Sequence, residues 1–121
     1  MIIINGGISL CKKNQLDDIT KKIADESKRI FGLNLNSVIL FGSYARGDFD
    51  EESDIDILIL VDLPSNELAA YRPYIDSLCG DLLLEYGVVV SVIEKDVKTY
   101  NQYANILPLY KNIVRDGVKI A

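Results

Sequence analysis

The sequence contains no histidine. That absence removes Ser-His-Asp and Cys-His nucleophilic mechanisms, histidine metal sites and histidine general-base catalysis. Cysteine is nearly as scarce. Cys11 and Cys79 lie far apart and form no C-x-x-C motif, so they read as two reduced thiols of a cytosolic protein. No apolar run approaches the ~18 residues of a membrane span. The opening MIIINGGISL has neither a basic n-region nor a small-residue cleavage pattern. A cytoplasmic location is therefore expected, with no membrane contact. Repeats, low-complexity runs and Pro/Gly-rich linkers are also missing. Basic residues are outnumbered, 13 against 18 acidic ones, for a net charge of −5. General phosphate-backbone binding needs a basic face, so no direct nucleic-acid binding is expected. A nucleotide remains compatible, because a bound cation inverts the local field of an acidic site.

What is present suits an ordinary globular domain. The chain has 121 residues, 49% of them apolar, enough for one domain over 1–121 that buries roughly two-thirds of its unfolded surface. Residues 1–12 read as a loose N-terminal segment, or Ile2–Ile4 as an edge strand. Leu16, Ile19, Ile23 and Ile30 form one stripe of a helix over Asn14–Phe31, stopped by Gly32 and Asn34. Ser37–Phe41 is a short strand, apolar from Val38 onward. Ser43–Arg46 suits a single helical turn ended by Gly47, and Asp48–Ser53 a polar loop. Ile55–Val61 is a second strand, apolar on both faces except at Asp56, which places it in the middle of a sheet. Glu67–Tyr86 reads as a helix with a plausible N-cap at Ser65 and a kink or break at Pro73. Val88–Ile93 is a third strand. Lys95–Tyr103 and Ile106–Arg115 are short helices, with Tyr100, Tyr103 and Tyr110 spaced for packing between them. Lys95, Lys98, Lys111, Arg115 and Lys119 suit a solvated face, or else a docking patch. The expected fold class is α/β (α+β): a small mixed sheet with helices packed over it and at least one antiparallel pairing.

The chemistry concentrates in Leu40–Ile59, LFGSYARGDFDEESDIDILI. A buried strand runs into Gly42-Ser43 at the start of a helical turn, where backbone N–H groups and a hydroxyl face a ligand and negative charge is favoured. Gly42 permits close backbone approach. Arg46 has two available uses, a phosphate or the acidic loop. Ten residues after Ser43 comes Ser53-Asp54-Ile55-Asp56. Strand alternation puts both carboxylates on one side, roughly 7 Å apart along the backbone. They repel unless a cation lies between them, and Mg²⁺ suits one or two carboxylates plus substrate phosphates. A metal also accounts for Asp56 in an otherwise apolar strand.

GSYARGDFDEESDID resembles the signature of the polymerase-β-like nucleotidyltransferase superfamily, in its minimal (MNT) branch. The tail LPLYKNIVRDGVKIA is similar to that of small MNT proteins encoded beside HEPN-domain partners. The resemblance implies a polymerase-β palm-like nucleotidyltransferase fold, with Gly42 and Ser43 holding a nucleoside triphosphate and Arg46 assisting. Asp54 and Asp56 would bind Mg²⁺ or Mn²⁺ and serve as the catalytic pair. The implied nucleotide substrate is ATP. The implied partner is a HEPN toxin, neutralised by transfer of AMP to one of its tyrosines.

In one place the sequence departs from the pattern. The superfamily usually carries a third carboxylate on the strand beside the Asp pair, and the aligned position here is Ser91. Glu94 is a further candidate metal ligand only if the strand ends or bulges, because in a regular strand it faces away from Ser91. Two readings stay open: an enzyme that transfers AMP, or an antitoxin that binds nucleotide and neutralises its partner by binding alone.

Overall fold

A computed structural model describes residues 13–50 and 52–121, with side chains from Gln15 onward. The expected loose segment or edge strand over residues 1–12 lies outside these residues.

The stripe read for the first helix forms α1, Lys13–Phe31, and buries Ile19 and Ile23 completely. A 3₁₀ turn at Gly32–Asn34 delivers the chain to β1, Leu35–Phe41, which continues directly into the short α2, Gly42–Arg46. β2 is Ile55–Val61. A 3₁₀ segment, Ser65–Tyr71, precedes α3, Arg72–Tyr86, and Pro73 sits in the first turn of α3. The helix expected over Glu67–Tyr86 is thus two pieces, with the break expected at Pro73 falling one residue earlier, before Arg72. Proline lacks an N–H and fits where no intrahelical bond is owed. Ser65 caps no helix: its hydroxyl donates instead to Asp96 Oδ1 at 2.6 Å.

β3 runs Val90–Asp96, later at both ends than the expected Val88–Ile93. Its last residue, Asp96, accepts from Thr99 N at 2.9 Å and caps α4, Val97–Tyr103. That cap moves the helix start from Lys95 to Val97. α5 is Pro108–Asp116, and a two-residue strand, β4 (Val118–Lys119), was not foreseen.

The sheet order is β3-β2-β1-β4. β2 is central, antiparallel to β1 and parallel to β3, and β4 runs antiparallel to β1. Both faces are covered, which explains why β2 lacks polar alternation. Ile55, Ile57, Ile59 and Val61 meet Ile19 and Ile23 of α1 and Ile75, Leu78 and Leu82 of α3. Leu58 and Leu60 face the other way, against Tyr100 of α4 and Tyr110 and Ile113 of α5. Tyr100 and Tyr110 pack as expected, with centroids 5.0 Å apart, whereas Tyr103 stays exposed. No helix among the described residues is long and apolar enough to cross a membrane.

Candidate nucleotide and metal site

The two halves of the motif meet because β1 and β2 are antiparallel. Phe41, the last residue of β1, pairs with Asp56, the second residue of β2. Gly42 follows at φ +72°, a left-handed conformation that side-chain-bearing residues disfavour. The need for glycine is also steric. A Cβ on Gly42 would overlap Asp56 Oδ2 and lie 3.3 Å from Asp56 Cγ. The Asp56 carboxylate therefore rests against bare backbone at the start of α2.

Asp56 is half-buried, and its carboxyl is pushed above the usual carboxylate range. Burial is the main cause and the neighbouring Asp54 charge adds to it, while Arg46 opposes both. Asp54 precedes the strand and is exposed. Ser91 on β3 pairs with Asp56 in register, and its hydroxyl lies 3.3 Å from Asp54 Oδ2, where it donates. Asp54, Asp56 and Ser91 are thus brought to one side of the sheet end.

Arg46 takes the acidic-loop option: its Nε donates to Asp48 Oδ2 at 3.1 Å. Gly47 and Asp48 both donate their N–H groups to the Ser43 carbonyl, at 2.9 and 3.1 Å, closing α2 over a left-handed Gly47. Glu94 does not join the pair. β3 neither ends nor bulges there: the register with β2 continues to Val61↔Asp96. Glu94 instead accepts from Arg72 Nη1 at 2.6 Å, and its side chain is only 8% exposed.

The donor set fits a hard divalent cation sharing its coordination with a substrate. Among the described residues no group of three or more acidic, histidine or cysteine side chains can enclose a metal alone. Two carboxylates leave most of an octahedral shell to water and phosphate oxygens, the arrangement Mg²⁺ favours. A cation there would relieve both causes that raise the Asp56 carboxyl.

Residues 20–120 match the model of the nucleotidyltransferase domain. The chain belongs to that family. A Methanocaldococcus jannaschii relative named "Putative protein adenylyltransferase" is 38% identical over 97 residues, covering 80% of this chain and 89% of that protein. Two solved structures share the nucleotidyltransferase fold at lower identity. One is a toxin–antitoxin crystallised with AMP-PNP (TM-score 0.55, 22% identity, 84% of this chain and 72% of that one). The other is a tri-AMPylated Shewanella oneidensis HEPN toxin in complex with its MNT antitoxin (TM-score 0.53, 18% identity, 87% and 71%).

Three features of the site had no reading from sequence: the contact between Gly42 and Asp56, the bond from Ser91 to Asp54, and a stacking of Phe49 on Tyr44. The last had a faint signal, since Phe49 is the one apolar residue in the charged stretch Asp48–Ser53.

Proposed function

We propose that this nucleotidyltransferase domain is a metal-dependent protein adenylyltransferase and the antitoxin of an MNT–HEPN pair. It moves AMP from ATP to a tyrosine hydroxyl of its toxin. The observation that carries this reading is the seating of the Asp56 carboxylate against the bare backbone of Gly42, with Asp54 beside it. That contact ties a phosphate-binding turn to a metal-binding pair. The named adenylyltransferase relative supports AMP as the transferred group, and the two toxin–antitoxin neighbours support the partner.

In this reading Gly42 and Ser43 meet the triphosphate, and Asp54 and Asp56 hold Mg²⁺ or Mn²⁺. Arg46 exchanges Asp48 for a phosphate oxygen. The bound cation supplies charge neutralisation at the phosphates. The tyrosine oxygen bonds to the α-phosphorus, its proton is released, and pyrophosphate departs. The test is transfer of labelled AMP to a co-expressed HEPN partner by the wild type and by Asp54→Asn/Asp56→Asn. Label should appear only with the wild type. No label from folded wild type with its partner, across nucleotides and metals, would overturn the proposal.

Ser91 favours a second reading. It occupies the register position beside Asp56 where a third carboxylate would stand, and a hydroxyl is a poor metal ligand and a poor base. An antitoxin acting by occlusion needs no turnover, and in that case the double Asn variant still neutralises the toxin in cells.

A further inference from the structure

The two carboxylates of the pair are held by different means. Asp56 lies inside β2 and is fixed by its pairing with Phe41 and Ser91. Asp54 lies before the strand begins, so on its N-terminal side only the loop from α2 positions it. Four sets of contacts among the described residues hold that loop, one of them the Arg46 Nε–Asp48 Oδ2 bond at 3.1 Å. The Ser43 carbonyl holds Gly47 and Asp48. Asp50 and Ser53 close a tight turn, with Asp50 N donating to Ser53 Oγ at 2.9 Å and Ser53 N to the Asp50 carbonyl at 3.2 Å. Between these two, Phe49 stacks on Tyr44 of α2, with centroids 4.2 Å apart and ring planes within 8°. Tyr44 is itself buried in the main core, and Phe49 packs against that core. Among the described residues, the stack is the one apolar side-chain contact of the loop that ties it to the core of the protein.

We propose that the Tyr44–Phe49 stack is a positioning device that sets Asp54, and not Asp56, for metal and triphosphate. Phe49 touches no ligand; it acts through the loop it holds. A loop that loses this anchor keeps both its ends but samples more conformations, and Asp54 must then be ordered at the moment of binding. This inference rests on the nucleotide-binding reading above.

The test is Mg²⁺-dependent ATP binding by calorimetry, with wild type, Phe49→Ala, Phe49→Leu and Phe49→Tyr. Phe49→Ala and Phe49→Leu should weaken binding roughly 3- to 10-fold, the range expected from losing one aromatic pair. Phe49→Tyr keeps the ring and should restore it. Amide exchange of residues 48–54 in the metal-free protein should rise in the two weakened variants. A double-mutant cycle separates positioning from general damage: in an Asp54→Asn background, Phe49→Leu should cost no further affinity, whereas in Asp56→Asn it still should. Wild type that binds no Mg²⁺–ATP overturns the functional reading itself. Wild type that binds, with Phe49→Leu equal to it or equally costly in both backgrounds, overturns the positioning role alone. Should Phe49→Ala fail to fold, Phe49→Leu decides.

Discussion

Replacing Gly42 by alanine separates two penalties that the structure predicts at that position. The first is conformational. Gly42 has φ +72°, and forcing an L-residue into that region costs roughly 1–2 kcal/mol. The second is steric. The new Cβ overlaps Asp56 Oδ2, so the carboxylate must rotate away, at about 0.5–1.5 kcal/mol for an off-rotamer side chain. The sum is about 1.5–3.5 kcal/mol. Gly87 is a matched control, because it has φ +70° at the end of α3 and an added Cβ meets nothing within 4 Å. Gly87→Ala should therefore cost only the first part, about 1–2 kcal/mol. At about 4 °C per kcal/mol, Gly87→Ala lowers Tm by roughly 4–8 °C and Gly42→Ala by roughly 6–14 °C. Binding should discriminate more sharply. Displacing Asp56 should cost at least ~10-fold in Mg²⁺–ATP affinity, in line with changes beside a metal ligand. Gly87→Ala should leave the affinity unchanged. Thermal melts and calorimetry on the three proteins measure both effects. Equal losses of stability and equal affinities for the two variants would refute the argument that Gly42 is required by Asp56.

Three further outcomes are expected. Asp56→Asn should raise the stability of the metal-free protein by about 0.5–1 kcal/mol while weakening Mg²⁺–ATP binding at least ~10-fold, since it removes a desolvated charge beside Asp54; denaturant titration checks the sign. Arg72→Ala should cost about 2–3 kcal/mol at pH 7, because it strands the nearly buried Glu94 carboxylate. Burial already holds the Glu94 carboxyl above its ordinary value, so the folded state binds that proton more tightly, and the deficit should shrink as pH falls from 7 to 5. Asp96→Ala should cost about 1 kcal/mol at pH 7 through loss of the α4 cap. Hydrogen bonds from Ser65 and Thr99 hold the Asp96 carboxyl down to about 2, so its contribution is full above the unfolded value and fades as pH falls toward 2. Urea melts at pH 7 and pH 2.5 should show the two proteins converging.

The elements that sequence revealed best are those with one clear burial pattern. Ile55–Val61 is apolar on both faces because both faces are covered, and its limits came out unchanged. The α1 stripe was as plain. The boundaries that moved did so for reasons outside local pattern. β3 continues through Glu94 and Lys95 because β2 offers ladder partners as far as Val61. Ser65 carries the signature of an N-cap, but a carboxylate distant in sequence, Asp96, takes its hydroxyl. β4 has too few residues to show any periodicity, and only its pairing with Ile39 and Leu40 makes it a strand. At the site, residue types and spacing pointed to Gly42, Ser43, Asp54 and Asp56. The contacts linking them depend on β1–β2 register, which spacing does not encode.

The pairing of β1 with the far end of the chain bears on how the protein is made. β1 leads straight into Gly42, yet among the described residues its outer edge is covered only by those near 118–121, where Val38 N donates to the Ala121 carbonyl at 3.0 Å and Ile120 N to the Val38 carbonyl at 2.8 Å. During synthesis that edge stays open while some eighty further residues are translated, seconds at ordinary elongation rates. An unpaired apolar strand edge is a template for pairing with other chains. Completion of this edge of the sheet is therefore a late event in folding, and the nascent chain is most prone to aggregate in the interval between the synthesis of β1 and that of β4.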